Sequence, residues 1–446
     1  MAAMHRRQFL RAAAGMFAAS TGVTVPRKVL GANDKVVVGI MGIKGRGGYL
    51  AERFASRPDV EIAYLCDVDT RLFGERIEQV AKRQGKPPKT VTDFRRILDD
   101  KHVDVLINAT PDHWHALPTI MACQAGKDVY VEKPISHNIW EGQRMIAAAR
   151  KYRRIVQVGT QTRSADYAHQ ARDYIRSGKL GDVHLVKVFN MKWRQAVPAQ
   201  PDAQPPAGVD YDMWLGPAPK RPFNPNRFHY TWHWYWDYSG GDIINDGVHQ
   251  IDLARMVMGV EYPKAVVSSG GKYHYDDAQE TPDTQTVVWE FDRLTMLFEL
   301  TLWTPYIKKI SQKIRDSLTE YPNWPFCATR VEIYGTKGVM MLGRHGGGWQ
   351  VFGMEEKPVA EANGPDPQTA HFDNFLQCVR SRQVPNADIR EGHLSTLLCH
   401  LGNISYRVGG RKLFFDANSE TFIGDDEANR LVKRVYREPW VVPERV

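Results

Sequence analysis

Two stretches of this chain set reactive residue types at spacings that suit proton and hydride chemistry. The first is "GGDIINDGVHQID", beginning at Gly240. Asp242 suits a helix N-cap, and the apolar residues from Ile243 to Met258 recur at helical spacing, so one helix is predicted here. On it Asp242, Asn245, His249 and Asp252 fall at steps of three, four and three, forming a polar stripe that must face water or a site. A histidine is neutral near physiological pH, so His249 can take a hydroxyl proton while hydride leaves the carbon. The competing reading is a hydrogen-bonded core histidine. Asp246 follows Asn245 and is rotated from it by about 100° on an α-helix.

The second stretch is "VVVGIMGIKGRG", from Val36. An apolar run of strand length, Lys35 to Met41, leads into glycine-rich Gly42 to Gly48 and then a helical pattern from Tyr49, the order a dinucleotide-binding turn requires. Backbone N–H groups at such a helix start hold a pyrophosphate. Gly42, Ile43, Lys44, Gly45, Arg46 and Gly47 form the candidate turn, although Lys44 stands where G-x-G-x-x-G has its second glycine. A plain tight turn is the alternative. Asp67 strengthens the nucleotide reading, because it ends the apolar run Val60 to Cys66 and can accept ribose hydroxyls there. A carboxylate at that point repels a 2′-phosphate, which favours NAD over NADP. Further strand-like runs at Val103 to Ala109, Val129 to Glu132 and Ile155 to Gly159, each after a helix-like segment, predict a doubly wound parallel sheet.

These elements belong to a chain of 446 residues, long enough for two or three domains. With 43% hydrophobic and 25% charged residues its composition is that of a globular enzyme rather than a disordered or fibrous chain. Ala12 to Val25 is weakly polar and follows Arg6, Arg7 and Arg11; it is too short to span a bilayer but fits an export signal. Arg6-Arg7 before Gln8-Phe9-Leu10 resembles a twin-arginine signal, which sends folded proteins across a membrane. Residues 1–32 are therefore expected to be a leader, cut between Ala19 and Ala32, with a periplasmic or other extracytoplasmic destination. Setting aside their five basic residues lowers the formal net charge from +8 to +3. With no remaining basic cluster, a nucleic-acid partner is not expected. The five scattered cysteines suggest neither a disulfide framework nor a zinc site.

Three motifs together, "NATPDHWHA" from Asn108, "VYVEKPISHN" from Val129 and the Gly240 stretch, resemble the Gfo/Idh/MocA family of glucose-fructose oxidoreductase and inositol dehydrogenase. The likeness runs from about Val36 to the C-terminus and is greatest to the exported, twin-arginine-bearing branch. It implies an N-terminal Rossmann domain (33–160) and a C-terminal α/β domain (161–446) with a large open, mostly antiparallel sheet. Dimers or tetramers built through that sheet are implied as well, as is hydride transfer between a nicotinamide and a secondary hydroxyl of a sugar or cyclitol. Carried over by motif, Asn108, Thr110, Pro111, His115, Glu132 and Lys133 would meet the cofactor, with Thr110-Pro111 closing over its ring and Lys133 holding the reacting oxygen. The family's dehydrogenases usually carry aspartate four residues before the histidine. Asn245 stands there instead, and an amide can orient a substrate but not take a proton; this leaves the acid/base roles of Asn245 and neighbouring Asp246 open.

Between these motifs, "PAQPDAQPPAG" from Pro198 predicts a surface loop, and "FHYTWHWYWDYSGG" from Phe228 is dense in aromatics. Such rings either pack on sugar C–H faces or simply fill core. Arg163, Lys192, His233 and Trp236 are candidates to complete a carbohydrate pocket. His113 with His115, or His229 with His233, lack a third metal ligand, so no catalytic metal is expected. An exported dehydrogenase has little free NAD around it, so its NAD is expected to be tightly bound and regenerated within each cycle. Net oxidoreduction of a sugar satisfies that. Two alternatives are NAD-dependent glycoside cleavage by transient oxidation, elimination and re-reduction, and a non-catalytic sugar-binding protein.

Overall fold

The apolar run after Lys35 forms a strand covered on both faces, as its lack of alternation requires. In the computed structural model, which describes residues 34–446, this is β1 (Val36–Met41), joined by β2 (Val60–Cys66), β3 (Lys89–Val91), β4 (Val105–Asn108), β5 (Asp128–Val131) and β6 (Val156–Val158). The leader reading of residues 1–32 lies outside the described residues. The six strands pair in parallel in the order β3-β2-β1-β4-β5-β6, the doubly wound arrangement expected from the sequence. Strand order reverses between β1 and β4, and a crevice opens at such a point beyond the carboxyl ends of the strands.

Two glycines make the turn after β1 possible. Gly42 has φ +79°, and a Cβ on it would sit 2.7 Å from the Ala109 carbonyl oxygen. A Cβ on Gly47 would lie 1.6 Å from the Gly42 carbonyl oxygen. The Gly45–Ala55 helix therefore leaves β1 with backbone packed on backbone.

The second sheet holds β7 (Val183–Met191), β8 (Ala265–Gly271), β9 (Thr284–Glu290), β10 (Thr295–Thr301), β11 (Arg330–Gly335), β12 (Gly338–Gly343), β13 (Trp349–Phe352), β14 (Pro358–Ala362), β15 (Leu413–Asp416) and β16 (Thr421–Phe422). Its order is β14-β13-β12-β11-β7-β10-β9-β8-β15-β16, antiparallel in every described pair except β7 with β10, so the sheet is mostly antiparallel as expected. Burial alternates along β9 and β10, so one face is packed and the other more open. The Asp166–Arg176, Val248–Met258 and Ile389–Arg407 helices cover the packed face.

The later half of the chain also completes the first sheet. The Gln368–Ser381 helix brings Phe372, Phe375 and Leu376 against Phe54 and Tyr130, with the Phe54 and Phe372 ring centroids 4.8 Å apart. Near the C-terminus Trp440 packs edge-on to Trp114 at 5.1 Å. No helix among the described residues is long and apolar enough to cross a membrane.

Because the Gly47 site has no room for a methyl group, Gly47→Ala is expected to cost about 1–3 kcal/mol and to weaken dinucleotide binding. Thermal denaturation with and without NAD checks this; an unchanged Tm and unchanged NAD protection would contradict it.

Candidate active site

A cleft of about 1050 Å³ runs from the glycine turn to the second sheet. Lys133 and His249 both line it, on opposite domains. Lys133 follows β5, and its Nζ donates to the Asn245 carbonyl oxygen at 2.7 Å, with the Asn245 Oδ1 at 3.5 Å. Burial lowers the Lys133 ammonium from its ordinary value, while Glu132 and Asp112 act in the opposite direction.

The single predicted helix has a different first turn. Ile243–Gly247 is π-helical and runs into the α-helix Val248–Met258. A π turn shifts the phase of everything after it, and the expected stripe is lost. Asn245, Asp246 and His249 all line the cleft, whereas Asp252 turns away to Arg163 at 2.8 Å and to the Ser395 hydroxyl at 2.6 Å. Asp242 caps nothing; its carboxylate accepts from Arg194 (2.7 Å), Asn190 (2.9 Å) and the Asn245 amide (2.8 Å). Strong local hydrogen-bond partners replace the cap that the sequence suggested.

His249 is 7% exposed. Its ring stands 5.1 Å from that of His345, edge-on. Among the described residues no group hydrogen-bonds to either His249 nitrogen. Burial first, then the Arg344 charge, hold its pKa well below the ordinary histidine value, so the imidazole is neutral at pH 7. Asp246 is no free base. It pairs with Lys192 and with Arg344 (2.5 Å), and Arg194 stands 3.5 Å away.

At the other end of the cleft the residues fit a dinucleotide. Gly42, Lys44, Gly45 and Arg46 line it, and the first amides of the Gly45–Ala55 helix lack intrahelical acceptors. Lys44, which stands where the fingerprint has its second glycine, has φ −73° and ψ −103°, outside the helical and extended regions. Ile43 and Gly47 do not line the cleft; the Ile43 amide donates to Asp67 Oδ2 at 2.8 Å, and Gly47 packs behind the turn. Burial raises Asp67 to about 6 against the pull of the Ile43 and Asp69 amides. Arg46 Nε pairs with Glu132 at 2.7 Å and its Nη2 reaches Gln368 at 3.1 Å, tying the turn to β5 and to the second half of the chain. Thr110, Pro111 and His115 line the cleft, and the His115 ring bridges the Pro134 and Thr110 carbonyls, bracing both loops. Asn108 is fully buried away from it, its amide holding the Trp114 and His115 carbonyls at 3.2 Å.

Of the substrate candidates, Lys192 and His233 line the cleft. Arg163 does not: it is buried between Asp252 (2.8 Å) and Glu391 (3.1 Å). Trp236 lines a second cavity with His400 and Arg407, since the 228–241 segment reverses before reaching the π turn. Most rings of that region form a core of their own, including Trp234, Tyr235 and Tyr238. Phe228 and Trp232 belong to that core and also line the cleft, as does Tyr230. His229 pairs with Asp69 at 3.1 Å, and His113 with the Trp214 carbonyl at 2.9 Å.

The sequence reading missed Arg194, Trp214, Lys309, Arg315, Arg344 and His345, all of which line the cleft. Arg344 and His345 sit on the loop between β12 and β13, where His345, Gly346, Gly347 and Gly348 all have positive φ (56°, 93°, 81° and 60°). The glycine run in "GRHGGGW" was the available signal for such a loop.

A Rossmann sheet facing a mixed sheet across a cleft that holds a half-buried lysine and a neutral histidine defines a nicotinamide-dependent oxidoreductase. The chain belongs to the Gfo/Idh/MocA oxidoreductase family: residues 36–160 match its NAD-binding Rossmann fold, and 170–289 with 349–442 match its C-terminal alpha/beta domain. It is an NAD-dependent oxidoreductase of that type. Uncharacterized oxidoreductase YrbE of Bacillus subtilis is 26% identical over 305 residues, 68% of this chain and 72% of that protein. A glycosyl hydrolase family 109 protein of Stenotrophomonas maltophilia is 37% identical over 139 residues, which span only 30% of either chain. Among solved structures, the WlbA dehydrogenase of Bordetella pertussis, in complex with NADH and UDP-GlcNAcA, superposes with a TM-score of 0.61 at 20% identity, over 86% of this chain and 99% of that one.

Asp67 is charged above its raised pKa of about 6 and neutral below it. Ribose hydroxyls bind the carboxylate better than the acid, so NAD affinity is expected to fall as pH drops from 7.5 to 5. Asp67→Asn is expected to bind weakly with no such dependence. Titration of NAD at several pH values tests this; a flat wild-type profile would contradict it.

Proposed function

We propose that this protein transfers hydride between a tightly bound NAD and a secondary hydroxyl of a sugar, sugar derivative or cyclitol. The observation that carries this reading is the Lys133 Nζ contact with Asn245, which brings the end of β5 to the helix bearing His249 at one cleft. Bound NAD would supply the hydride acceptor. Lys133 keeps N–H donors beyond the one given to Asn245 and can hold the reacting oxygen, stabilising negative charge as it develops. Neutral His249, with its nitrogens unclaimed, accepts the hydroxyl proton as the carbonyl forms and returns it in reduction. Asn245 positions Lys133, and Asp246, fully ion-paired, shapes the wall rather than moving protons. Residues up to about 160 would hold the nucleotide and the remainder the substrate.

The likeness to a glycosyl hydrolase family 109 protein supports a second reading on the same residues. In it, oxidation of a sugar hydroxyl acidifies a neighbouring C–H, a glycosidic bond is eliminated, water adds and the ketone is reduced back. The Arg6-Arg7 pattern supports export through the twin-arginine machinery with NAD enclosed, and the family resemblance supports a homodimer or homotetramer.

Lys133→Ala and His249→Ala are each expected to lower kcat/KM by about a hundredfold or more while leaving the fold intact. Near-normal turnover in either would refute its role. Ketone formation from free sugars distinguishes the first reading; aglycone release from aryl glycosides without net NADH distinguishes the second. Denaturing the purified protein should release nucleotide, and a preparation that never contains any would contradict tight binding.

A further inference from the structure

Five basic side chains line the wall of the cleft opposite the glycine turn. Lys192 and Arg194 follow β7, Lys309 and Arg315 lie on the 302–329 excursion between β10 and β11, and Arg344 comes from the β12–β13 loop. The carboxylates facing them are shared. Asp246 serves Lys192, Arg344 and Arg194 together, and Asp242 also serves Arg194. Asp366 stands 3.8 Å from Arg315, and Asp316 lies at the exposed rim. Lys309 lies beside Lys192, and among the described residues it forms no ion pair with a carboxylate. The Nε groups of Arg194 and Arg344 are buried without a partner. Like charges gathered in a partly desolvated wall repel one another unless a ligand brings compensating negative charge.

The source of these residues bears on their purpose. Lys309, Arg315 and Arg344 all come from 290–348, the interval between the two segments that match the family's C-terminal domain. In the Arg344 loop His345 holds φ 56°, a conformation that a residue other than glycine rarely adopts, whereas the three glycines after it take positive φ freely, and a Cβ on Gly348 would lie 2.1 Å from the Ala362 carbonyl oxygen. Strain of this kind persists where the surroundings over-determine a loop, as at ligand clamps. The segment thus adds a clamp of cations to a cleft whose redox residues lie elsewhere.

We propose that the substrate carries an oxyanion, a carboxylate or a phosphate, bound by Lys309, Arg315 and Arg344 while its reacting hydroxyl lies at Lys133 and His249. This deepens the hydride-transfer reading and rests on it. Guanidinium groups take such oxyanions in paired hydrogen bonds, and Lys309 adds a point charge at the mouth. The same negative charge would ease proton acceptance by His249, which the Arg344 charge opposes in the free protein.

The test uses the full NAD-loaded protein and matched sets of a hexose, its hexuronate and its 6-phosphate. Turnover and thermal stabilisation are measured for each at low and high salt. The anionic members are expected to be favoured over the neutral hexose by about tenfold or more in kcat/KM, with the advantage shrinking in high salt. Preference for the hexuronate identifies a carboxylate, and preference for the 6-phosphate a phosphate. Lys309→Met should lower the anionic-to-neutral ratio about tenfold, and Lys309→Arg should restore most of it. Lys309 is exposed, so both variants are expected to fold, and their Tm values check that they do. A neutral hexose used as well as both anions, or a ratio untouched by Lys309→Met, would overturn the anion assignment while leaving the redox reading in place. If NAD binds but no member of any set is bound or turned over, the redox reading on sugars fails, and this inference with it.

Discussion

A half-buried ammonium needs an acceptor, and the site is organised around how Lys133 finds one. Its Nζ crosses from the nucleotide-binding sheet to the main-chain oxygen of Asn245 in the other domain. That oxygen is presented by a π turn, a rare and locally costly form that recurs at functional sites. This contact is one of several that join the two halves of the chain, and it lies at the cleft. The π turn sets the phase of the following helix, which places His249 in the same cleft as Lys133. Arg46, bound to both Glu132 and Gln368, repeats the link at the glycine turn.

Electrostatics divide the cleft. At the glycine-turn end the Asp67 carboxylate accepts from the Ile43 amide, and the helix start offers free amides. In the middle, burial and nearby cations keep His249 neutral and weaken the hold of Lys133 on its proton. The first shift leaves a neutral imidazole with a lone pair open to a proton, and the second makes the Lys133 ammonium a readier donor. At the far wall basic side chains crowd together, and Asp246 is shared among three of them. The aspartate that lies next to the family's usual acid position has thus become structural, and this is consistent with proton transfer resting on His249.

What could be read from the sequence follows the physics of each element. Strand β2 was legible residue for residue, and the glycine turn was legible in outline, because period and punctuation are local signals. The lysine and histidine were found because they sit in motifs. The π turn was not, since nothing in "IINDGV" distinguishes i→i+5 from i→i+4 pairing; Asp252 was therefore placed on one polar stripe with His249, while Asp246, a catalytic candidate, was expected to point about 100° away from Asn245. Arg163 and Trp236 were misplaced because their partners, Asp252 with Glu391 and Arg407, are distant in sequence. Lys309, Arg315 and Arg344 were invisible for the same reason, as they come from connections between strands that only the folded sheet brings together.

The central claim is that one extended cleft orients NAD with its adenosine end at Asp67 and its nicotinamide between Lys133 and His249. A crystal structure of the full chain with NAD bound tests it most directly. The account predicts the pyrophosphate on the start of the Gly45–Ala55 helix and the nicotinamide ring beside the Lys133 ammonium. A nucleotide bound outside this cleft, or lying in it with the nicotinamide at Asp67, would contradict it.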